Sequence, residues 1–140
     1  MEDKDTRFKA VVADNEQAAK RALDRGDFLQ AFLLVHSLVE SLLRVFLGET
    51  GARLTFDDLI KKYGERLRAE HYPTPKFVDE LTQFNRRRNR IMHRLWEKGY
   101  TLTNKWAEPA ASAAVIMYGL LIEWIETFEP EIGEKGYRYT

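Results

Sequence analysis

Apolar residues recur every three or four positions along most of the chain, which is the spacing of one face of a helix. The pattern predicts helices over residues 6–25, 28–47, 56–67, 75–98 and 103–128, with Pro109 in the first turn of the last helix or forcing it to restart. No stretch has the alternation typical of a strand. The sequence therefore predicts an all-α, up-down bundle of four long helices and one short helix. We expect residues 1–130 to form a single domain and residues 131–140 a flexible C-terminal tail.

The ends of these helices carry residues that commonly stop or cap a helix. Thr55-Phe56-Asp57-Asp58 has the form of a capping box, and Thr74 with Pro75 predicts a cap followed by the first helical residue. The remaining signals are Gly26 and Asp27 between the first two helices, Gly48 and Gly51 in the next turn, and Gly99 after the fourth helix. Helix 28–47 is apolar over more than half of its circumference, so we expect it to be contacted on two sides, within the bundle or partly in an oligomer interface.

Composition excludes several function classes. The 140 residues include 22 basic and 22 acidic side chains, for a formal net charge of zero, and no cysteine. Disulfides, cysteine-ligated metals and thiol nucleophiles are therefore excluded. The acidic, polar N-terminus is unlike a secretory signal, and the apolar run 110–125 is shorter than a membrane span. These features predict a cytoplasmic protein that does not associate with a membrane.

One segment departs from the ordinary amphipathic pattern. Residues 84–96 contain five arginines, two asparagines and one histidine. Arg88 occupies the position in the apolar stripe of this helix where another core residue is expected. A charge there is costly unless it is paired or faces a polar cavity. Asn89 and His93 are four residues apart and therefore neighbours on the adjoining face.

Two interpretations of Arg88 follow from the residues alone. In the first, Arg88 either extends its charged end to the solvent or pairs with a buried acid, for which Glu40, the one carboxylate in the apolar stretch 33–43, is the obvious candidate. His93 is then a histidine at the edge of the solvent. In the second, Arg88, Asn89 and His93 form a functional site. His36 and Glu40 have the four-residue spacing of some metal ligands, but no third ligand accompanies them, and we expect no metal or cofactor.

The segment Arg88-Asn89-x-x-x-His93, late in a small all-α domain, resembles the Arg-x4–6-His motif of the HEPN superfamily. The polar residue directly after the arginine and the aliphatic Ile91 two residues before the histidine also follow the habit of that family. The resemblance implies a metal-independent endoribonuclease that works as a homodimer, with the motifs of two protomers forming one composite site.

The resemblance also implies roles for individual residues. His93 would act as general base or acid when a ribose 2′-hydroxyl attacks the adjacent phosphate, leaving a 2′,3′-cyclic phosphate. Arg88 would hold the phosphate, and Asn89 would orient His93 or the RNA. Glu40, which the residues alone offer as a partner of Arg88, would be a supporting residue that holds Arg88 without touching the RNA. The positive field that attracts RNA would come from Arg86, Arg87, Arg90 and Arg94, each of which is by itself more typical of a solvated surface.

A toxin or defence effector is the function that this resemblance implies, and its partner would be an antitoxin. In some toxins of the family, a nucleotidyltransferase antitoxin modifies a tyrosine two residues after the histidine, but that position here is Leu95. Two alternatives are a non-catalytic HEPN-like module that binds a nucleotide, RNA or a protein, and a plain helical interaction domain in which Arg88 pairs with Glu40.

Overall fold

The computed structural model describes residues 4–49 and 53–138, so Gly51 and the first three residues lie outside the described part. Within it, regular structure is helical throughout, which confirms the predicted all-α helical bundle. The elements are α1 (Lys4–Asp24), α2 (Phe28–Leu47), α3 (Phe56–Ala69), α4 (Val78–Lys98), α5 (Tyr100–Trp106), α6 (Glu108–Glu126) and a 3-10 helix (Pro130–Lys135).

Helix α2 lies at the centre of the bundle. It contacts α1, α3, α4, α5 and α6. Its buried side chains are Leu29, Ala31, Phe32, Val35, Leu38, Val39, Leu42, Leu43 and Phe46. The wide apolar surface predicted for this helix is thus covered within the bundle. By length and composition alone α2 and α6 could each cross a membrane, a property shared by core helices of soluble proteins, and both contribute buried residues to this core.

The N-terminus of α2 is capped from far along the chain. Asp27 occupies the N-cap position, as predicted, but its side chain makes no capping hydrogen bond. It lies instead 3.1 Å from Arg25 Nε. The side chain of Asn104 accepts a hydrogen bond from the Leu29 backbone N–H and donates one to the Gly26 carbonyl, both at 2.9 Å. An α5 side chain therefore satisfies an orphan donor of α2.

Helix α3 begins where the sequence predicts, whereas α4 begins later than predicted. The capping box at Thr55 and Asp58 is present, which confirms that prediction. Helix α4 begins at Val78, three residues after Pro75, and Phe77 precedes it with a left-handed φ of 71°. The Tyr63 hydroxyl donates a hydrogen bond to the Lys76 carbonyl, which holds this segment as a turn against α3.

The last predicted helix is divided in two. Residues 100–106 form α5, and α6 begins anew at Glu108 with Pro109 in its first turn. Proline has no backbone N–H and its ring obstructs the preceding turn, so the helix restarts there. A restart is the second of the two arrangements that the sequence predicts for Pro109. The separate α5 positions Asn104 at the start of α2.

Residues 130–138 pack against the bundle, whereas the sequence predicts a flexible tail over residues 131–140. Through residue 138 they form a 3-10 helix and a short extension, in which Ile132 and Tyr137 are buried. The Tyr137 hydroxyl lies 2.8 Å from Ser41 Oγ, and the buried carboxylate of Glu16 accepts a hydrogen bond from the Arg138 backbone N–H. Two apolar side chains in a short polar segment were enough to anchor it on α1, α2 and α6.

Replacing Tyr137 by alanine is expected to lower the free energy of unfolding by about 3–5 kcal/mol, the usual cost of deleting a buried aromatic ring. Urea denaturation followed by circular dichroism measures the change. Tyr100→Ala is the matched control, because Tyr100 is 51% exposed and the loss of its ring should change stability by less than about 0.5 kcal/mol. Equal stabilities of the two variants would contradict the packed C-terminus.

Candidate functional site

The five arginines of α4 do not form one patch, although Arg87, Arg90 and Arg94 all lie on the side of the helix that faces Trp106. Arg88, with Asn89, lines a cleft between α2, α3 and α4. Arg87 and Arg90 line a groove toward α6 on another side of the helix. The Arg94 guanidinium lies 4.9 Å from the centre of the Trp106 ring, and Arg86 is exposed. This divergence follows from the helical turn of about 100° per residue.

The cleft beside Arg88 is open and mostly polar, with a volume of about 520 Å³. Its wall on α2 is formed by Leu33, His36, Ser37 and Glu40, its wall at the start of α3 by Thr55, Phe56 and Asp57, and its wall on α4 by Asn85, Arg88 and Asn89. A concave surface with several convergent polar groups is the usual form of a binding site.

Arg88 is half-buried. Its predicted partner, Glu40, lies nearby but does not form an ion pair with it. The Nη1 of Arg88 donates a hydrogen bond to Asn89 Oδ1 at 3.3 Å. Glu40 lines the same cleft, but its carboxylate lies 3.7 Å from Arg44 Nε. Within residues 4–49 and 53–138, no ion pair joins Arg88 to Glu40. The polar cleft therefore compensates Arg88, and the interpretation based on a direct Arg88–Glu40 pair is not supported.

His93 lies outside this cleft. Its side chain is 59% exposed, and Nε2 lies 3.5 Å from Glu97 Oε2, which forms an ion pair only when His93 is protonated. Its ring contacts the edge of Trp96 at a centroid separation of 4.8 Å. Five residues along a helix correspond to a rotation of about 140°, so Arg88 and His93 of one chain do not face a common cavity.

The structure also adds a residue that the sequence interpretation did not include in the site. His36 stacks on the rings of Phe56 and Phe84 at centroid separations of 4.5 and 5.1 Å. Its Nε2 lies 3.2 Å from Asn85 Oδ1, and Asn85 Nδ2 donates a hydrogen bond to Asp57 Oδ1 at 3.1 Å. The only feature of the sequence that points to His36 as a site residue is its position within an apolar helix. Its hydrogen-bond partner Asn85 lies 49 residues away along the chain, and Asp57 lies 28 residues from Asn85, both beyond the reach of local spacing.

Burial sets the protonation of His36. Removal from water lowers its pKa below 6.5, and the positive charge of Arg88 acts in the same direction. The hydrogen bond with Asn85 and the charge of Glu40 act in the opposite direction, without reversing the net effect. His36 is consequently neutral at physiological pH. Within the described ranges, no group of three or more histidine or acidic side chains is arranged to hold a metal ion.

We expect the free energy of unfolding to fall as the pH drops below about 6.5 and the unfolded chain takes up a proton that folded His36 resists. Stability then rises with pH between the folded and unfolded pKa values, because the unfolded state binds more protons there. The slope contributed by one such group is at most about 1.4 kcal/mol per pH unit. Glu40, Asp57 and Arg88 are the charged groups facing His36 in the cleft.

Urea denaturation between about pH 7.5 and 5.5 should therefore show a steeper loss of stability for the natural protein than for His36→Phe, which retains a ring but cannot titrate. NMR titration of the His36 ring gives its folded pKa directly. An unchanged slope in His36→Phe would contradict the assignment.

Comparisons of the chain with protein-family models, with curated proteins and with solved structures find no match. The resemblance to the HEPN superfamily accordingly rests on the residues of α4 and on the helical fold.

Proposed function

We propose that this protein is a metal-independent endoribonuclease of HEPN type that acts as a homodimer, as a cytoplasmic toxin or defence effector. One observation carries the proposal. Arg88 is a half-buried cation without a carboxylate partner among the described residues, and it lies with Asn89 at an open polar cleft while His93 is accessible on the adjoining face. An arginine held in this way is suited to a phosphate, whose oxygens match the geometry of its donors.

The chemistry requires no metal ion. The oxygen of a ribose 2′-hydroxyl attacks the adjacent phosphorus, the bond from phosphorus to the 5′-oxygen breaks, and a 2′,3′-cyclic phosphate forms. One histidine accepts the proton of the 2′-hydroxyl, and a second acid protonates the departing 5′-oxygen. The His93 of one protomer is the base, a water molecule is the acid, and Arg88 and Asn89 of its partner hold the charged oxygens.

A dimer joined through the exposed face of α4 brings together Arg88 and His93, which do not face a common cavity within one chain. Asn89, His93 and Trp96 are spaced by four and three residues, so they share this face. Trp96 is 74% exposed beside His93, and tryptophan is the type of side chain that most often anchors an interface. The contact brings the His93 of one protomer toward the Arg88 of its partner.

A non-catalytic module that binds a nucleotide, RNA or a protein is the second candidate. The observation that favours it is the separation of His93 from the cleft of its own chain, since Arg88 and Asn89 can bind phosphate there without His93. Persistent RNA binding without a cleavage product distinguishes this function from the first.

Arg88→Ala and His93→Ala should each reduce RNA cleavage by about 100-fold or more, because each removes a group that acts in the transition state. Denaturing gels of labelled RNA incubated with excess EDTA measure the product, and its 2′,3′-cyclic end is identified by mass spectrometry. His71→Asn is the control, since His71 is an exposed turn residue with a left-handed φ of 69° that asparagine tolerates. Full activity in either motif variant would refute the site.

Mixing the two inactive variants tests whether the groups act between chains. A mixed dimer joins an intact Arg88 to an intact His93 of the partner, so part of the activity should return. No recovery, despite exchange of protomers, would place both groups in the same chain.

Trp96→Glu should convert the dimer to a monomer and abolish cleavage with it, because a buried charge without a partner is costly at an interface. Light scattering at micromolar concentration measures the mass. Ile116→Glu is the matched control, since Ile116 is 64% exposed on α6 and lies outside the proposed contact. If the natural protein is monomeric, or if only Ile116→Glu dissociates it, the α4 contact is wrong.

A further inference from the structure

The cleft between α2, α3 and α4 contains a chain of hydrogen bonds that the Arg88–His93 motif does not use. Asp57 can only accept, so it fixes the Asn85 amide with Nδ2 toward the carboxylate and Oδ1 toward His36. Because Oδ1 is an acceptor, the proton of the neutral imidazole resides on Nε2. The carboxylate of α3 thus determines the tautomer of a histidine on α2.

This tautomer leaves Nδ1 of His36 as a hydrogen-bond acceptor. Within the part of the chain that the structure describes, Nδ1 has no hydrogen-bond partner, and the ring lines the cleft. Stacking on Phe56 and Phe84 holds the ring in place. A fixed acceptor at the wall of an open cleft is suited to an N–H or O–H donor of a ligand.

The charges around the cleft indicate what kind of ligand it accepts. Arg88 supplies one cation, whereas Glu40 and Asp57 supply two carboxylates. A bare inorganic phosphate would meet both carboxylates and have no donor to offer His36. A ligand with one anionic end and several N–H or O–H donors satisfies both sides of the cleft.

A ribonucleotide has this combination, and the volume of about 520 Å³ lies within the usual range for small-molecule sites. Its phosphate is attracted to Arg88 and Asn89. Its ribose hydroxyls, or the amino group of adenine or cytosine, can donate to His36 Nδ1 and to Glu40.

We propose that the cleft is a nucleotide subsite, in which Arg88 binds the phosphate of one RNA residue and His36, oriented by Asn85 and Asp57, accepts a hydrogen bond from its sugar or base. This inference rests on the proposed function for the identity of its ligand as part of an RNA chain. His36 is in this arrangement a residue of substrate recognition, distinct from the His93 that transfers protons.

The test is a titration of the full chain with CMP, AMP and inorganic phosphate, followed by calorimetry and by the NMR signals of the His36 ring. We expect both nucleotides to bind more tightly than phosphate. His36→Phe and Arg88→Ala should each weaken nucleotide binding by about tenfold or more, the usual effect of losing a hydrogen bond to a charged or buried partner. Arg21→Ala, an exposed arginine on α1, is the charge-matched control.

Several outcomes would overturn the subsite. Equal binding of CMP by His36→Phe and the natural protein would do so, as would phosphate that binds as tightly as the nucleotides and displaces them. Thermal unfolding checks that His36→Phe is folded. If it is not, Arg88→Ala decides, because that half-exposed side chain lies outside the aromatic stack and its loss must still weaken nucleotide binding.

The same variants separate this inference from the proposed function. Nucleotide binding that depends on His36, in a protein that never cleaves RNA, supports the subsite and contradicts the ribonuclease. Cleavage that depends on Arg88 and His93, with CMP binding unaffected in His36→Phe, supports the ribonuclease and overturns the subsite.

Discussion

The burial of α2 is the constraint on which the rest of the structure depends. An apolar helix of 20 residues cannot leave most of its surface in water, since each large side chain buried contributes about 1.5–3 kcal/mol. Five helices cover it from different sides. Its polar positions are the ones that must find partners, and His36 and Ser41 obtain theirs from Asn85 and Tyr137. The cleft and the packed C-terminus are both consequences of these requirements.

Long-range hydrogen bonds then decide how the covering elements are oriented. Asn104 joins α5 to the start of α2, and Tyr63 holds the turn before α4. The buried carboxylate of Glu16 accepts hydrogen bonds from the Tyr118 hydroxyl and the Arg138 backbone. An unpaired polar group in such positions would cost about 1–3 kcal/mol, so each of these contacts favours one arrangement of the helices over its alternatives.

The candidate site arises where the core reaches the surface along α4. Leu81, Phe84 and Ile91 are buried, whereas Arg88, in line with them, lies at the cleft. The end of the aromatic stack at His36 provides a polar wall opposite this arginine. The site thus combines a rigid apolar support with groups that remain accessible, which is the arrangement expected of residues that must be held in place for binding or catalysis.

Most of the helices could be predicted from the sequence alone, because their periodicity, glycine stops and the capping box at Thr55 are local properties. The sequence also identified Arg88 as an anomaly, since a charge interrupts an otherwise apolar stripe. The start of α4, the packing of the C-terminal segment and the connection between His36, Asn85 and Asp57 depend instead on how the helices pack together. Those features depend on contacts between residues far apart in the chain, and the direction of five neighbouring arginines becomes meaningful only when the surrounding helices are in place.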